Sequence, residues 1–181
     1  MQAPAPVDIS PLTHRLAVGD GIWTPERMRR VADLGYSHVI DVQAEFNDEE
    51  IAAPFGVQVL WNPVEDDFQP KPEDFFARSV AFALAAFDDP EARVYVHCAA
   101  GLHRAPLTCA AILCALGYEF DAALELIRAR RPAVDFPPVY LASLARYVRQ
   151  RLGMAAPLPE DVREQTGGED ALPGAVDEPA R

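Results

Sequence analysis

Arg93-Val94-Tyr95-Val96-His97-Cys98-Ala99-Ala100-Gly101-Leu102-His103-Arg104 is the stretch on which the fold turns. Its first five residues follow the breaker Asp88-Asp89-Pro90 and read as a buried strand. The run behind it, Ala105 to Leu116, is almost wholly apolar and is stopped by Gly117. That run is too short to span a bilayer and reads as a core helix. A strand that passes through a tight turn into a helix builds an anion site. Successive backbone N–H groups curl around the anion, and the helix N-terminus adds about half a positive charge. Gly101, at the middle of the turn, permits a positive φ or a close backbone approach.

Cys98 stands at the mouth of this turn and Arg104 at its end. A helix N-terminus and a guanidinium both favour the thiolate form of a cysteine placed there. A thiolate beside a bound phosphate is a nucleophile set for transfer through a covalent intermediate. Arg104 can hold two phosphate oxygens with a planar fork that lysine lacks. Ala99, Ala100, Gly101, Leu102 and His103 would supply the rest of the anion contacts. The other two cysteines, Cys109 and Cys114, lie inside the apolar run and read as small hydrophobes. They lack the paired spacing of a zinc site, so no metal and no cofactor is expected.

Working outward, helical and strand-like segments alternate. Thr24-Pro25 starts a helix that Gly35 ends; Ser37–Val42 and Val57–Trp61 read as strands; Glu73–Phe87 is a helix. Two more helices follow, with Asp121 as a candidate cap for the first. The second is expected to bury Tyr140, Leu144, Tyr147, Val148 and Leu152. This order predicts an α/β domain with a central, mostly parallel sheet flanked by helices. With 181 residues, half of them hydrophobic, the chain has room for one domain and a tail. The expected limits are a flexible N-terminus over 1–7, a catalytic domain over 8–152 and a disordered acidic tail over 153–181. A net charge of −12 offers nothing to nucleic acid or an anionic membrane. Three cysteines without a leader-like N-terminus fit a cytoplasmic protein with reduced thiols, and a monomer is expected.

His97-Cys98-Ala99-Ala100-Gly101-Leu102-His103-Arg104 resembles the phosphate loop of the protein tyrosine phosphatase superfamily: His-Cys, five residues, Arg. With Thr13-His14-Arg15-Leu16, Ser37–Gln43 and Arg130-Arg131-Pro132, the chain looks like its dual-specificity branch over residues 8 to 152. The resemblance implies a phosphomonoester hydrolase with Cys98 as nucleophile, Arg104 as phosphate grip and a general acid on the loop Asn62–Pro70. Relatives commonly carry Pro three positions after the acid, which selects Asp67 over its neighbour Asp66. A solvated acidic turn is the alternative for both. Ala105 stands where most relatives have Ser or Thr. The Arg-Ala-Pro variant resembles the phosphatases of regenerating liver and some glucan phosphatases, and it also suits a phosphate-trapping module with little turnover. His97 is expected to orient the loop through its backbone. His103 faces either substrate or solvent; the usual Asn or Gln that positions water is missing, and Asp135, the only polar candidate in its segment, reads rather as a helix-entry turn residue. The loop has no lysine or arginine beyond Arg104, so inositol phosphates are disfavoured. A phosphorylated protein is the first expectation for the substrate. Phosphoglucan follows, with Trp61, Phe68 and Tyr140 as possible platforms.

Overall fold

The computed structural model describes residues 6–157. Residues 1–5 and 158–181, and most of the terminal segments expected to be flexible, lie outside them. The described elements are β1 (Ile9–Pro11), β2 (Leu16–Gly19), α1 (Pro25–Asp33), β3 (His38–Gln43) and α2 (Glu49–Ala52). They continue with β4 (Gln58–Val64), α3 (Glu73–Phe87), β5 (Val94–His97), α4 (Arg104–Ala115), α5 (Phe120–Arg130) and α6 (Pro138–Arg151). One sheet runs in the order β1-β2-β5-β3-β4, parallel throughout except for the antiparallel edge strand β1. The expected α/β architecture is therefore the observed one.

Side-chain alternation sorts the two faces. Leu16, Val18, Ile40, Val42, Val94 and Val96 point into the larger core, where α3, α4, α5 and α6 pack. Ala17, Val39 and Tyr95 point the other way, against Met28 and Val31 of α1 and Ala52 of α2. The central element is α4: every residue from Arg104 to Cys114 is buried, so it is apolar on all sides rather than amphipathic. Thr24 caps α1 by accepting from the Arg27 N–H at 3.3 Å, and Gly35 closes the chain reversal after it with φ +86°. Asp121 lies inside the first turn of α5 and is not its cap, a position held by Glu119. Strand β1 and helix α2 have only three and four residues, too few for a hydrophobic period to show. Packing also continues past Leu152, since Met154 and Ala156 join the larger core.

The strand ends Gly19, Gln43, Val64 and His97 all lie at the C-terminal edge of the parallel sheet, where the β5–α4 turn emerges. Ligand sites of open α/β sheets form along that edge.

Candidate active site

Residues 98–103 form the turn between β5 and α4, and the carbonyls of Ala99 to Leu102 are held from outside. The Gly21 N–H donates to Ala99 O at 3.2 Å, and the Asp135 N–H donates to Leu102 O at 3.1 Å. Between them, Arg131 donates from Nε to Gly101 O at 2.8 Å and from Nη2 to Ala100 O at 3.3 Å. C=O and N–H of one peptide point in opposite directions, so the N–H groups of residues 100 to 103 turn inward and form the anion cradle. Gly101 has φ +66°, and a Cβ there would meet the Gly19 carbonyl at 2.5 Å and Arg131 Nη2 at 2.8 Å. Both reasons for glycine at that point operate at once. Arg131 also reaches Asp8 at 2.9 Å and Ser10 at 3.1 Å, tying the N-terminal edge to the loop.

Cys98 is buried at the loop mouth. Arg104 opens α4, with its guanidinium fixed in place. Nη1 donates to Glu45 Oε2 at 2.9 Å and to Val64 O at 3.0 Å, while Nη2 donates to Glu45 Oε1 at 2.8 Å. This bidentate bond holds the Glu45 carboxyl below the usual carboxylate range. Glu45 was not singled out in the sequence; the only cue is an acidic residue just beyond a strand end. Ala105 is fully buried behind the loop. The nearby Thr108 hydroxyl donates to Arg104 O at 2.9 Å, an ordinary bond back to the preceding turn.

The two acids of the β4–α3 loop face opposite ways. Asp66 turns toward the cradle: Oδ2 is 3.0 Å from His103 Nδ1 and 3.8 Å from Arg104 Nε, and Oδ1 accepts from the Tyr140 hydroxyl at 2.9 Å. Asp67 turns away and pairs with Lys71 Nζ at 2.5 Å, which lowers its carboxyl's pKa. The residue selected by proline spacing is thus not the one the fold sets over the loop. The reason is local. Phe68 takes a left-handed backbone (φ +57°), and its N–H donates to Tyr140 Oη at 3.1 Å. Lys71, almost fully buried against the Tyr140 ring, holds Glu65 O and Asp67 together. Of the three expected platforms only Phe68 is exposed. Tyr140 is buried, its hydroxyl pushed up to about 12 by burial and by Asp66, and Trp61 donates to Gln43 O at 3.0 Å.

His97 departs from its expected part as well. Its imidazole lies on the α1–α2 face of the sheet, with Nε2 2.7 Å from Asp48 Oδ2 and 3.8 Å from Asp41 Oδ1. All three side chains are fully buried, and burial pushes the Asp41 carboxyl up to about 7. Among the described residues this is the one group with enough nearby donors for a metal ion. Two ligands at about 2.0–2.2 Å from one zinc would stand roughly 3 Å or more apart. His97 Nε2 and Asp48 Oδ2, 2.7 Å apart, stand closer than that, and neither atom has hydrogen-bond geometry to a partner. Burial raises the pKa of the thiols of Cys109 and Cys114, the latter to about 11, as suits inert core residues.

A cysteine-bearing turn between strand and helix on the end of a parallel sheet agrees with what the chain matches. The family described as dual specificity phosphatase, catalytic domain, matches residues 25–150, and the chain belongs to this family of cysteine-based phosphatases. Protein tyrosine phosphatase type IVA 3 of Bos taurus is 30% identical over 135 residues, 72% of this chain and 78% of the relative. Among solved structures, PTPMT1 in complex with PI(5)P is similar with a TM-score of 0.72 and 23% identity, over 80% of this chain and 97% of that one. Human DUSP28 is similar with a TM-score of 0.65 and 21% identity, over 81% and 96%. Among the described residues no helix is long and apolar enough to cross a membrane.

Proposed function

We propose that this protein is a phosphomonoester hydrolase that works through a cysteinyl-phosphate, with Cys98 as nucleophile, Arg104 as phosphate grip and Asp66 as general acid. The observation that carries the reading is the cradle: four loop carbonyls held outward around Cys98, with Arg104 and Asp66 at its rim. The phosphate would sit on the loop N–H groups and Arg104, where they stabilise charge that builds in the transition state. Cys98 Sγ then attacks phosphorus while the leaving oxygen takes a proton from Asp66, and water later releases phosphate. Glu45 holds the Arg104 fork in plane, so little ordering is needed when phosphate arrives.

A phosphorylated protein is the favoured substrate. The loop side chains add no lysine or arginine beyond Arg104, which argues against a polyphosphorylated inositol ring. Phosphoglucan loses support because Tyr140 and Trp61 are engaged in the fold. A phosphate-trapping module is a second reading, favoured by the absent hydroxyl at Ala105. The test is a panel of phosphopeptides, phosphoglucan, PI(5)P and p-nitrophenyl phosphate, run on wild type and Cys98→Ser. The expected result is hydrolysis of p-nitrophenyl phosphate and phosphopeptides by wild type only, with vanadate binding retained in the variant. Residual activity above a few per cent in Cys98→Ser would remove Cys98 as the nucleophile. Vanadate binding without turnover by wild type would favour the trapping module.

A further inference from the structure

We propose that His103 and Asp66 act as one proton-carrying pair, in which His103 resupplies the proton that Asp66 delivers to the leaving oxygen. The proposal rests on the reading of Asp66 as general acid.

The geometry is a chain of three groups. His103 Nδ1 lies 3.0 Å from Asp66 Oδ2, and His103 Nε2 lies 3.8 Å from Asp135 Oδ2. Asp135 is 74% exposed, whereas the His103 and Asp66 side chains are only 20% and 28% exposed, so the chain runs from the cradle's rim to solvent. The Tyr140 hydroxyl donates to Asp66 Oδ1, which leaves Oδ2 as the edge shared by His103 and the Arg104 side of the site. Phe68 covers the imidazole edge-on, with ring centroids 5.5 Å apart. The charged groups facing the imidazole are Asp66, Asp135 and the adjoining Arg104. Glu45 neutralises Arg104 from its far side, and Lys71 is committed to Asp67.

The chemistry explains why an imidazole is useful here. A free Asp carboxyl titrates near 3.9 and has lost its proton at neutral pH, while an imidazole exchanges its proton between about pH 5 and 8. One proton shared by the pair is therefore available where a lone carboxyl would be empty. In the first step the Cys98 Sγ–P bond forms and the P–O bond to the leaving group breaks. The leaving oxygen takes the pair's one proton through Asp66 as His103 Nδ1 passes it to Asp66 Oδ2, which leaves a neutral imidazole and a carboxylate. In the second step a water oxygen bonds to phosphorus and the S–P bond breaks, and the water's proton returns to the pair. The proton count closes over the cycle.

The test follows kcat/KM against pH for phenyl phosphate, a poor leaving group, and p-nitrophenyl phosphate, a good one. It compares wild type, Asp66→Asn and His103→Asn. Asn keeps a residue favoured at a helix N-cap, the position His103 occupies; His103→Gln serves if that variant does not fold. For phenyl phosphate, His103→Asn is expected to move the alkaline limb down by about one pH unit or more and to cut the rate near pH 7.5 about tenfold. The loss with p-nitrophenyl phosphate should be several-fold smaller than with phenyl phosphate, since p-nitrophenol leaves with little protonation, and vanadate inhibition reports whether the loop keeps its shape. If Asp66→Asn leaves phenyl phosphate turnover intact, the reading of Asp66 falls and the pair with it. If Asp66→Asn is slow but His103→Asn keeps the wild-type limb, the pair is overturned while Asp66 stands. Equal losses on both substrates with weaker vanadate inhibition would make His103 a loop-shaping residue and overturn the pair.

Discussion

Ala105 lacks the hydroxyl of the serine or threonine that most relatives carry after the arginine. Ala105 lies buried behind the loop, and the Thr108 hydroxyl, three residues on in α4, is spent on Arg104 O. Departure of the thiolate in the second step would then proceed without a hydroxyl to stabilise it. The expected outcome is a burst of product close to one equivalent, followed by slow turnover, in rapid-mixing assays with p-nitrophenyl phosphate. Ala105→Ser should raise the steady rate by about tenfold and leave the burst rate nearly unchanged, because the added group acts only after the first bond is made. Absence of a burst in wild type, with no gain from serine, would mean that release of phosphate is not limiting. At this scale Cys98 and Arg104 were legible, because a strand, five intervening residues and a helix fix their relation. The choice between Asp66 and Asp67 was not, because adjacent residues point in different directions and only Tyr140 and Lys71 decide which one faces the loop.

Among the elements, the β5–α4 turn and the end of β2 approach closely enough to allow a direct measurement. Gly101 and Gly56 have nearly the same φ, +66° and +67°, yet a Cβ at Gly101 would meet the Gly19 carbonyl at 2.5 Å and one at Gly56 would meet nothing within 4 Å. Gly56→Ala should therefore cost only the left-handed strain, on the order of 1 kcal/mol, and leave kcat unchanged. Gly101→Ala must also push the loop off β2 and its Arg131 support. Its cost should exceed that of Gly56→Ala by roughly 1–3 kcal/mol, with turnover lost by more than tenfold. Chemical denaturation and steady-state rates on both variants check this. Equal effects would show that the loop is free of β2. Arg131 could be noticed in the sequence as part of Arg130-Arg131-Pro132. Its grip on two loop carbonyls could not, since it comes from the far end of α5, thirty residues away.

For the whole molecule, the buried group formed by Asp41, Asp48 and His97 couples the folding equilibrium to pH. Asp41 titrates at about 7 in the folded protein, mainly through burial, against about 3.9 for an unfolded carboxyl. Between those values the folded state holds a proton that the unfolded state has released. Its contribution is therefore complete below about pH 4 and is lost as pH rises toward 7. The slope is on the order of 1.4 kcal/mol per pH unit in that window. Asp41→Asn cannot titrate, so wild-type stability should fall relative to the variant between pH 4.5 and 7. Urea unfolding of both proteins at the two pH values measures it, and parallel stabilities would mean that Asp41 is not protonated in the fold.

By itself the sequence determined the alternation of strand and helix, the mostly parallel sheet that such alternation favours, the apolar α4, and the tight turn between strand and helix with Cys98 and Arg104 on it. These follow from periodicity, punctuation by glycine and proline, and spacing along a few residues, all of which are local. Only the tertiary structure decided which acid reaches the cradle, that Glu45 and Arg131 hold it, and that His97 faces two buried carboxylates across the sheet. Each of those relations joins residues thirty to sixty or more positions apart, or turns on a one-residue rotation of a loop. Such relations are set by how α2, α5 and α6 pack against the sheet, where a side chain's direction depends on neighbours that no local pattern encodes.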